Sequence, residues 1–212
     1  MKQKWPSFAG GILLSLTLSA PATVLYVNVN SAAPAPPYTN WSTAAGDIQS
    51  AVDAAAAGDL VLVTNGTYAT GGRTVNGYAL TNRVVINQAV TVQSVNGPSA
   101  TIIEGYQVPG TTNGASAIRC VYMTNNATLI GFTVMNGATL VTVTNDQTRP
   151  GTDPGHEGSG GGLWCEAASA VVSNCLVTGN WACWYGGGGV YGGTLNNCTL
   201  TANWAAQVID LV

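Results

Sequence analysis

The stretch SNCLVTGNWA at residues 173–182 is followed by a near copy, NNCTLTANWA, at residues 196–205. Asn174, Cys175, Asn180 and Trp181 each recur 23 residues later in the chain. Each copy holds a short run of residues that favour strands, bounded by Asn or Gly, and lacks an apolar period of helical length. A unit this short cannot bury an apolar face alone. The pattern therefore predicts that successive copies stack on one another.

A fainter copy precedes these two. Residues 127–138 align with residues 170–181 at an offset of 43, which exceeds the clean period by 20 residues. The excess falls in residues 145–162, whose Pro and Gly content is typical of a loop. Stacked parallel strands place equivalent residues of neighbouring coils about 4.8 Å apart. The sequence therefore predicts a single-stranded parallel β-helix over residues 60–212 with a long loop at 138–159, and further strands at 60–64, 83–87, 90–95, 101–105 and 119–123.

The start of the chain has the features of an export signal. Lys2 and Lys4 precede an apolar run at residues 8–18, which is shorter than the roughly 20 residues that cross a bilayer. Small residues at 20 and 22 suit a signal peptidase. We interpret residues 1–22 as a signal peptide and expect an extracellular or cell-surface protein without a membrane span after cleavage. The alternative is a buried N-terminal strand or helix.

The next segment, residues 23–59, predicts an initial strand, a linker and one helix. Within residues 42–59, Ile48, Ala51, Val52 and Ala55 recur at helical spacing. The first coil of a stack exposes backbone groups and core, so we expect this amphipathic helix to cap it. Only 7% of the residues are charged and no basic patch occurs, which argues against a nucleic-acid partner.

The repeated Asn and Cys residues have structural interpretations. Asn174 and Asn197 suit left-handed turns and can hydrogen-bond to each other across coils. Cys175 and Cys198 are expected to point inward as small apolar fillers, and a disulfide between them is an alternative, since a spacing near 4.8 Å lies within the allowed range. Disulfide pairing stays open among the five cysteines, an odd number, which are Cys120, Cys165, Cys175, Cys183 and Cys198.

Two groups of residues are candidates for binding. The aromatic residues Trp164, Trp181, Tyr191 and Trp204 either pack over the core or lie exposed and stack on sugar rings. The loop carries a second group, whose spacing matches no calcium loop, and we interpret the loop as a solvated polar excursion that tolerates deletion. We predict no metal site and no cofactor, although calcium stays an alternative without a motif. The loop candidates are Asp146, Asp153, His156 and Glu157.

Most of the chain after residue 22 resembles a known family. Residues 25–68 resemble the first segment of secreted bacterial right-handed parallel β-helix repeat proteins of the pectate-lyase-like superfamily, and residues 94–110, 118–137 and 160–180 resemble the coils that follow. The resemblance implies an all-β, right-handed fold. The glycine-rich turns also resemble the repeats of polymorphic outer-membrane adhesins, although the Phe-x-x-Asn signature of those repeats is missing here.

The resemblance implies no catalytic residue in this chain. Pectin-cleaving members of the superfamily hold calcium with clustered Asp and use Arg or Lys as the base, whereas Arg83 and Arg119 have no acidic companion at a matching coil offset. We therefore interpret the chain as an exported, non-catalytic β-helix that presents a face for adhesion or for binding polysaccharide or cell-surface glycan. The alternatives are a polysaccharide lyase or hydrolase whose active coils are missing, and a structural repeat region of a larger surface protein.

The last six residues, QVIDLV at 207–212, are mostly apolar and follow the last clean coil. The edge of an end coil is a template for association. We expect either that this tail covers the last coil or that the chain self-associates end to end.

Overall fold

The computed structural model describes residues 21–75, 77–141, 154–183 and 186–205. Its described part is almost entirely β, with three parallel sheets that we call A, B and C. Sheet A stacks six strands, which are β1 (Val24–Val27), β2 (Leu60–Val63), β5 (Thr91–Ser94), β8 (Thr128–Ile130), β11 (Val171–Ser173) and β15 (Thr194–Asn196).

The other strands complete each coil. Sheet B contains β3 (Gly66–Tyr68), β6 (Thr101–Glu104), β9 (Thr133–Met135), β12 (Leu176–Thr178) and β16 (Thr199–Thr201). Sheet C contains β4 (Thr81–Ile86), β7 (Ile118–Met123), β10 (Leu163–Cys165) and β14 (Val190–Tyr191). A further parallel pair is formed by β13 (Trp181–Ala182) and β17 (Trp204–Ala205). From β2 onward the chain visits sheets A, B and C in turn, so the predicted parallel β-helix is confirmed.

The strand register defines the length of each coil. Sheet A pairs Leu60 with Thr91, Thr91 with Thr128, Thr128 with Val171, and Val171 with Thr194, which gives coils of 31, 37, 43 and 23 residues. The predicted offsets of 43 and 23 are therefore confirmed. Much of the variation in length lies between the sheet B strand and the following sheet C strand, at residues 69–80, 105–117 and 136–162. The described parts of these loops consequently begin and end at one corner of the stack.

Aliphatic side chains form continuous rows inside the stack. In sheet A, each member of the row Leu25, Val61, Val92, Leu129 and Val172 pairs with the next and is buried. Sheet B contributes a second buried row, which consists of Tyr68, Ile103, Val134 and Val177. Burial of these rows is the main stabilising term of the stack, because it scales with the apolar area removed from water.

The repeated Asn residues are part of the scaffold. Asn174 and Asn197 have φ angles of 52° and 51°, and the Asn197 Nδ2 group donates to Asn174 Oδ1 at 2.5 Å. Asn180 is fully buried: its Nδ2 group donates to the Val134 carbonyl at 3.0 Å, and its Oδ1 atom accepts from the Gly137 N–H at 2.9 Å. The predicted left-handed turns and Asn–Asn hydrogen bond are therefore confirmed.

The helix of the N-terminal segment is shorter than the predicted range of 42–59. A 3-10 helix (Trp41–Thr43) precedes helix α1 (Ile48–Ala54). The Asp47 side chain accepts from the Ser50 N–H at 2.8 Å, which starts α1, and the Gln88 side chain donates to the Ala55 carbonyl at 2.6 Å, just past its end. Ile48, Ala51 and Val52 are buried in the core, but the role of α1 as a cap stays a prediction.

Some predictions concern residues outside the described ranges. The signal peptide prediction falls mostly on residues 1–20, and the tail prediction falls on residues 207–212. Within the described ranges, none of the helices has the length and apolar character needed to cross a membrane.

Candidate functional site

The outer face of sheet C carries a row of large side chains. Val85 pairs with Tyr122, Tyr122 with Trp164, and Trp164 with Tyr191. Their chain neighbours belong to the core cluster, so this row points away from the core. Val85 and Tyr122 are buried, Trp164 is 7% exposed, and Tyr191 is 41% exposed. Three members of the row are therefore covered by other parts of the chain, and only its last described member is open.

Helix α2 (Pro154–Gly158) and the loop at 69–80 contribute two aromatic rings to this face. The rings of Tyr78 and His156 are stacked with centroids 3.5 Å apart, and the His156 ring lies 4.5 Å from the ring of Trp164. Trp164 in turn is stacked on Tyr191, at 4.1 Å with an interplanar angle of 8°. We call Tyr78, His156, Trp164 and Tyr191 the aromatic column. For Trp164, packing is the arrangement observed, and its ring is not open to a sugar.

A buried arginine fastens α2 to the stack. Arg119 is fully buried, and its Nη2 group donates to the carbonyls of His156 and Ser159, the latter at 2.9 Å. Its Nε group donates to the Gly160 carbonyl at 2.9 Å, and its Nη1 group donates to Asn82 Oδ1 at 2.9 Å. All three nitrogens of the guanidinium are thus engaged with acceptors of the chain.

A buried carboxylate holds the neighbouring loop. Glu157 is 2% exposed, and its Oε1 atom accepts from the N–H groups of Ala79 and Leu80, the latter at 3.2 Å. Burial lowers the pKa of the Arg119 guanidinium to about 9, and the charge of Glu157 opposes that shift, so Arg119 stays protonated at neutral pH. We call Arg119 and Glu157 the clamp, because together they tie α2 to both the stack and the loop at 69–80.

This arrangement corrects the interpretation of the loop as a solvated excursion. His156, Glu157 and Ser159 are buried, because they make the contacts of the clamp and the aromatic column. Tolerance to deletion is consequently not expected for residues 154–159. The candidates Asp146 and Asp153 lie outside the described residues.

Acidic residues act on both arginines from positions outside the matching coil offsets that the sequence analysis compared. Glu157 acts electrostatically on Arg119, and Glu104 acts on Arg83, whose Nε group donates to the Glu104 carbonyl at 2.8 Å. A comparison of coil positions could not find these pairs, since Glu157 comes from a loop and Glu104 from a different sheet.

The carboxylates of the described residues all accept hydrogen bonds from the chain. Glu104 accepts from the Asn136 Nδ2 group at 2.9 Å, and Glu166 accepts from the Tyr122 hydroxyl. Burial raises the pKa of the Glu166 carboxyl. Within the described ranges, no group of three or more His, Cys, Asp or Glu residues could hold a metal ion. The remaining partnered carboxylates are Asp47, Asp53, Asp59 and Glu157.

The parallel pair β13–β17 carries two tryptophans, of which Trp204 is the most exposed aromatic residue in the described ranges. Trp181 and Trp204 are in register, and their rings are stacked with centroids 5.8 Å apart and an interplanar angle of 23°. Trp204 is 61% exposed, and Trp181 is partly exposed. We call these two residues the tryptophan pair. Two stacked indoles one coil apart form an apolar surface that water can reach.

The fold has relatives among solved structures. One is titled "Rhamnogalacturonan lyase", with 13% identity and a TM-score of 0.50. The matched region covers 88% of this chain and 43% of that protein's chain. Another is titled "Crystal structure of pectin methylesterase in complex with hexasaccharide VII", with 14% identity and a TM-score of 0.45. The matched region covers 91% of this chain and 59% of that protein's chain. Both are β-helix proteins of the pectate-lyase-like fold, and the chain spans less than two thirds of either. No protein-family model and no curated protein sequence matches the chain.

Proposed function

We propose that the chain is an exported, non-catalytic β-helix that binds polysaccharide through the tryptophan pair. The observation that carries the proposal is the stacking of two indoles on neighbouring coils while one of them leaves 61% of its surface in water. A contiguous exposed patch of apolar side chains, unlike a single exposed residue, marks a surface that binds a partner. Export supports a partner outside the cell, such as a cell-wall or cell-surface glycan.

The physical gain comes from covering the indoles with the apolar face of a sugar ring. Burial of the exposed part of Trp204 is worth roughly 3 kcal/mol before the cost of ordering the glycan. Tyr191 offers a third exposed ring, although it lies on sheet C rather than on β17. Since stacking needs no charge, the surface does not require an acidic or a basic polysaccharide.

The hydrogen bonding of the charged residues favours binding over catalysis. Hydrolysis of glycosidic bonds by paired carboxylates needs two such groups that face the substrate. The described carboxylates instead accept hydrogen bonds from the chain, and the guanidinium of Arg119 is enclosed by acceptors. These contacts give the charged groups structural roles in the described coils.

The binding surface is tested with Trp204→Ala. We expect the intact protein to be retarded in native gels that contain pectin, xylan or β-glucan, and the variant to bind the retarding polymer at least tenfold more weakly. Trp41→Ala is the matched control. Trp41 is also exposed, but it packs against Tyr26 in the N-terminal segment, far along the chain from Trp204. Equal retardation of wild type and Trp204→Ala would overturn the proposal, as would an equal loss in both variants.

A second measurement separates binding from cleavage. Incubation of the protein with pectin, polygalacturonate or rhamnogalacturonan is expected to give no rise in the ultraviolet absorbance of unsaturated products, and no new reducing ends, with or without calcium. A rise that requires calcium would favour a lyase, and new reducing ends without that rise would favour a hydrolase. Either result would contradict the non-catalytic proposal while leaving the binding test intact.

A further inference from the structure

Two cysteines occupy the same position on neighbouring coils. Cys175 directly precedes β12, and Cys198 directly precedes β16. Leu176 pairs with Thr199, and the Thr199 N–H donates to the Cys175 carbonyl at 2.9 Å. The two cysteines are therefore neighbours in register on adjacent coils. Neighbouring strands lie about 4.8 Å apart, within the Cα separation that a disulfide spans. None of the strand registers in the described ranges pairs two cysteines, so this position directly before β12 and β16 is distinct from them.

Both sulfur atoms lie against the end of β11. The Cys175 Sγ atom is 3.3 Å from the Ser173 carbonyl oxygen, and the Cys198 Sγ atom is 3.4 Å from the Val172 carbonyl oxygen. The Cys175 Sγ atom also accepts from the Phe132 N–H at 3.4 Å. Sulfur is a weak donor and a weak acceptor, so rotation of either side chain toward the other loses only weak hydrogen bonds. Both thiols are free in this structure.

The pair can be reached from solvent. A cleft of about 350 Å³ opens beside it, and Cys198 itself is partly exposed. A small disulfide reagent has room there. The lining residues are Pro98, Asn174, Cys175, Leu176, Asn197 and Thr199.

We propose that Cys175 and Cys198 form a disulfide that staples the last two described coils together. The Cys198 thiolate attacks one sulfur of an external disulfide, which leaves a mixed disulfide on Cys198 and releases a first thiol. The Cys175 thiolate then attacks the Cys198 sulfur and expels the second thiol. The two cysteines lose two protons and two electrons, and the external disulfide is reduced to two thiols. This staple is independent of the proposed polysaccharide binding.

The surroundings of Cys175 predict how the closing step depends on pH. Burial raises the pKa of the Cys175 thiol to about 11. Since only the thiolate attacks, the rate of closure should rise about tenfold per pH unit below that value. A link that forms during unfolding would stop accelerating at about pH 8.5, the ordinary pKa of a free thiol, so the two routes differ above that pH.

Cys120 and Cys165 have other partners. Cys165 pairs in register with Met123, and its Sγ atom lies 4.0 Å from the Met123 Sδ atom. Cys120 donates from its Sγ atom to the Met135 carbonyl at 3.1 Å. Cys165→Ser is therefore a matched control that removes a buried thiol without touching the proposed staple.

The experiment uses the full chain, equilibrated with glutathione disulfide and then alkylated with excess N-ethylmaleimide in denaturant near neutral pH, where thiolate is available. Pepsin is needed for digestion, because Arg149 precedes Pro150 and resists trypsin, which would leave all five cysteines in the single peptide that follows Arg119. We expect a linked pair of peptides that contain Cys175 and Cys198 and lack two hydrogen atoms. The oxidised protein should melt on the order of 8 °C above the reduced protein.

The variants decide the outcome. Cys198→Ser and Cys175→Ser should each abolish the link and the difference in melting temperature between oxidised and reduced protein, whereas Cys165→Ser should keep both. Circular dichroism verifies that each reduced variant is folded. Two free thiols after oxidation, a glutathione adduct on Cys198 that never closes, or a link to a different cysteine would each overturn the proposal.

Discussion

Gly161→Ala is expected to destabilise the stack by at least about 3 kcal/mol, or to prevent cooperative folding altogether. A Cβ atom at residue 161 would lie 2.2 Å from the Trp181 carbonyl oxygen, 2.6 Å from the Trp181 carbonyl carbon and 2.9 Å from the Trp181 nitrogen. All three atoms belong to the backbone of β13, which is paired with β17. No side-chain rotation can relieve the overlap, so the two segments would have to separate.

The control is Gly46→Ala. The nearest atom to a Cβ at residue 46 is Pro34 Cγ at 3.9 Å, an ordinary contact. Chemical denaturation of both variants should show a change within about 0.5 kcal/mol for Gly46→Ala and a large loss for Gly161→Ala. Equal midpoints for Gly161→Ala and wild type would mean that β13 does not pass this close to residue 161.

The same close approach recurs in other coils. A Cβ at Gly188 would lie 1.9 Å from the Trp204 carbonyl oxygen, and a Cβ at Gly137 would lie 2.0 Å from the Gly161 carbonyl oxygen. The sequence indicates that the glycine-rich runs at 160–162 and 186–189 are turns, but it cannot show that another strand passes over them. Contact between backbones distant along the chain, rather than local conformation, accounts for Gly161 and Gly188.

The rows inside the stack were predictable because they depend on repetition. A period of 23 residues sets the register of β11 with β15 and of β12 with β16, and it places Asn174 beside Asn197. These features arise from the alternation of inward and outward side chains within a strand and from identical residues at equivalent positions of two coils. Both are visible in the amino-acid sequence. The same information identified the tryptophan pair as one row.

The clamp and the cover of the aromatic column were not predictable in this way. Glu157 and Arg119 meet because a loop folds back over sheet C, and no period relates a loop residue to a strand residue. Trp164 alternates outward like an exposed residue, yet α2 covers it. The extent of α1 likewise depends on Gln88, which lies 33 residues beyond the Ala55 carbonyl that it binds.

Arg119→Met is the second substitution with a large expected effect. Methionine fills much of the volume of the arginine stem but donates no hydrogen bonds. The carbonyls of Ser159 and Gly160 and the Oδ1 atom of Asn82 would lose their buried donor, and the charge of Glu157 would lose its nearby cation. Removing one partner from a buried charged network typically costs about 3–5 kcal/mol, and we expect a loss of that size in the free energy of unfolding.

Unfolding of the Arg119→Met variant should begin at α2 and not in the coils. With the clamp broken, α2 has the rings of the aromatic column as its main remaining contact with sheet C, so Trp164 should become exposed before the stack unfolds. Arg73→Met is the control, since Arg73 forms an exposed ion pair with Asp53 at 2.8 Å and should cost less than about 1 kcal/mol. Cleavage near residue 160 by a dilute protease, together with increased hydrogen exchange at Ala79 and Leu80, measures the local step. If Arg119→Met shows the protection of wild type at these amides, Glu157 holds the loop without Arg119, and the clamp consists of the carboxylate alone.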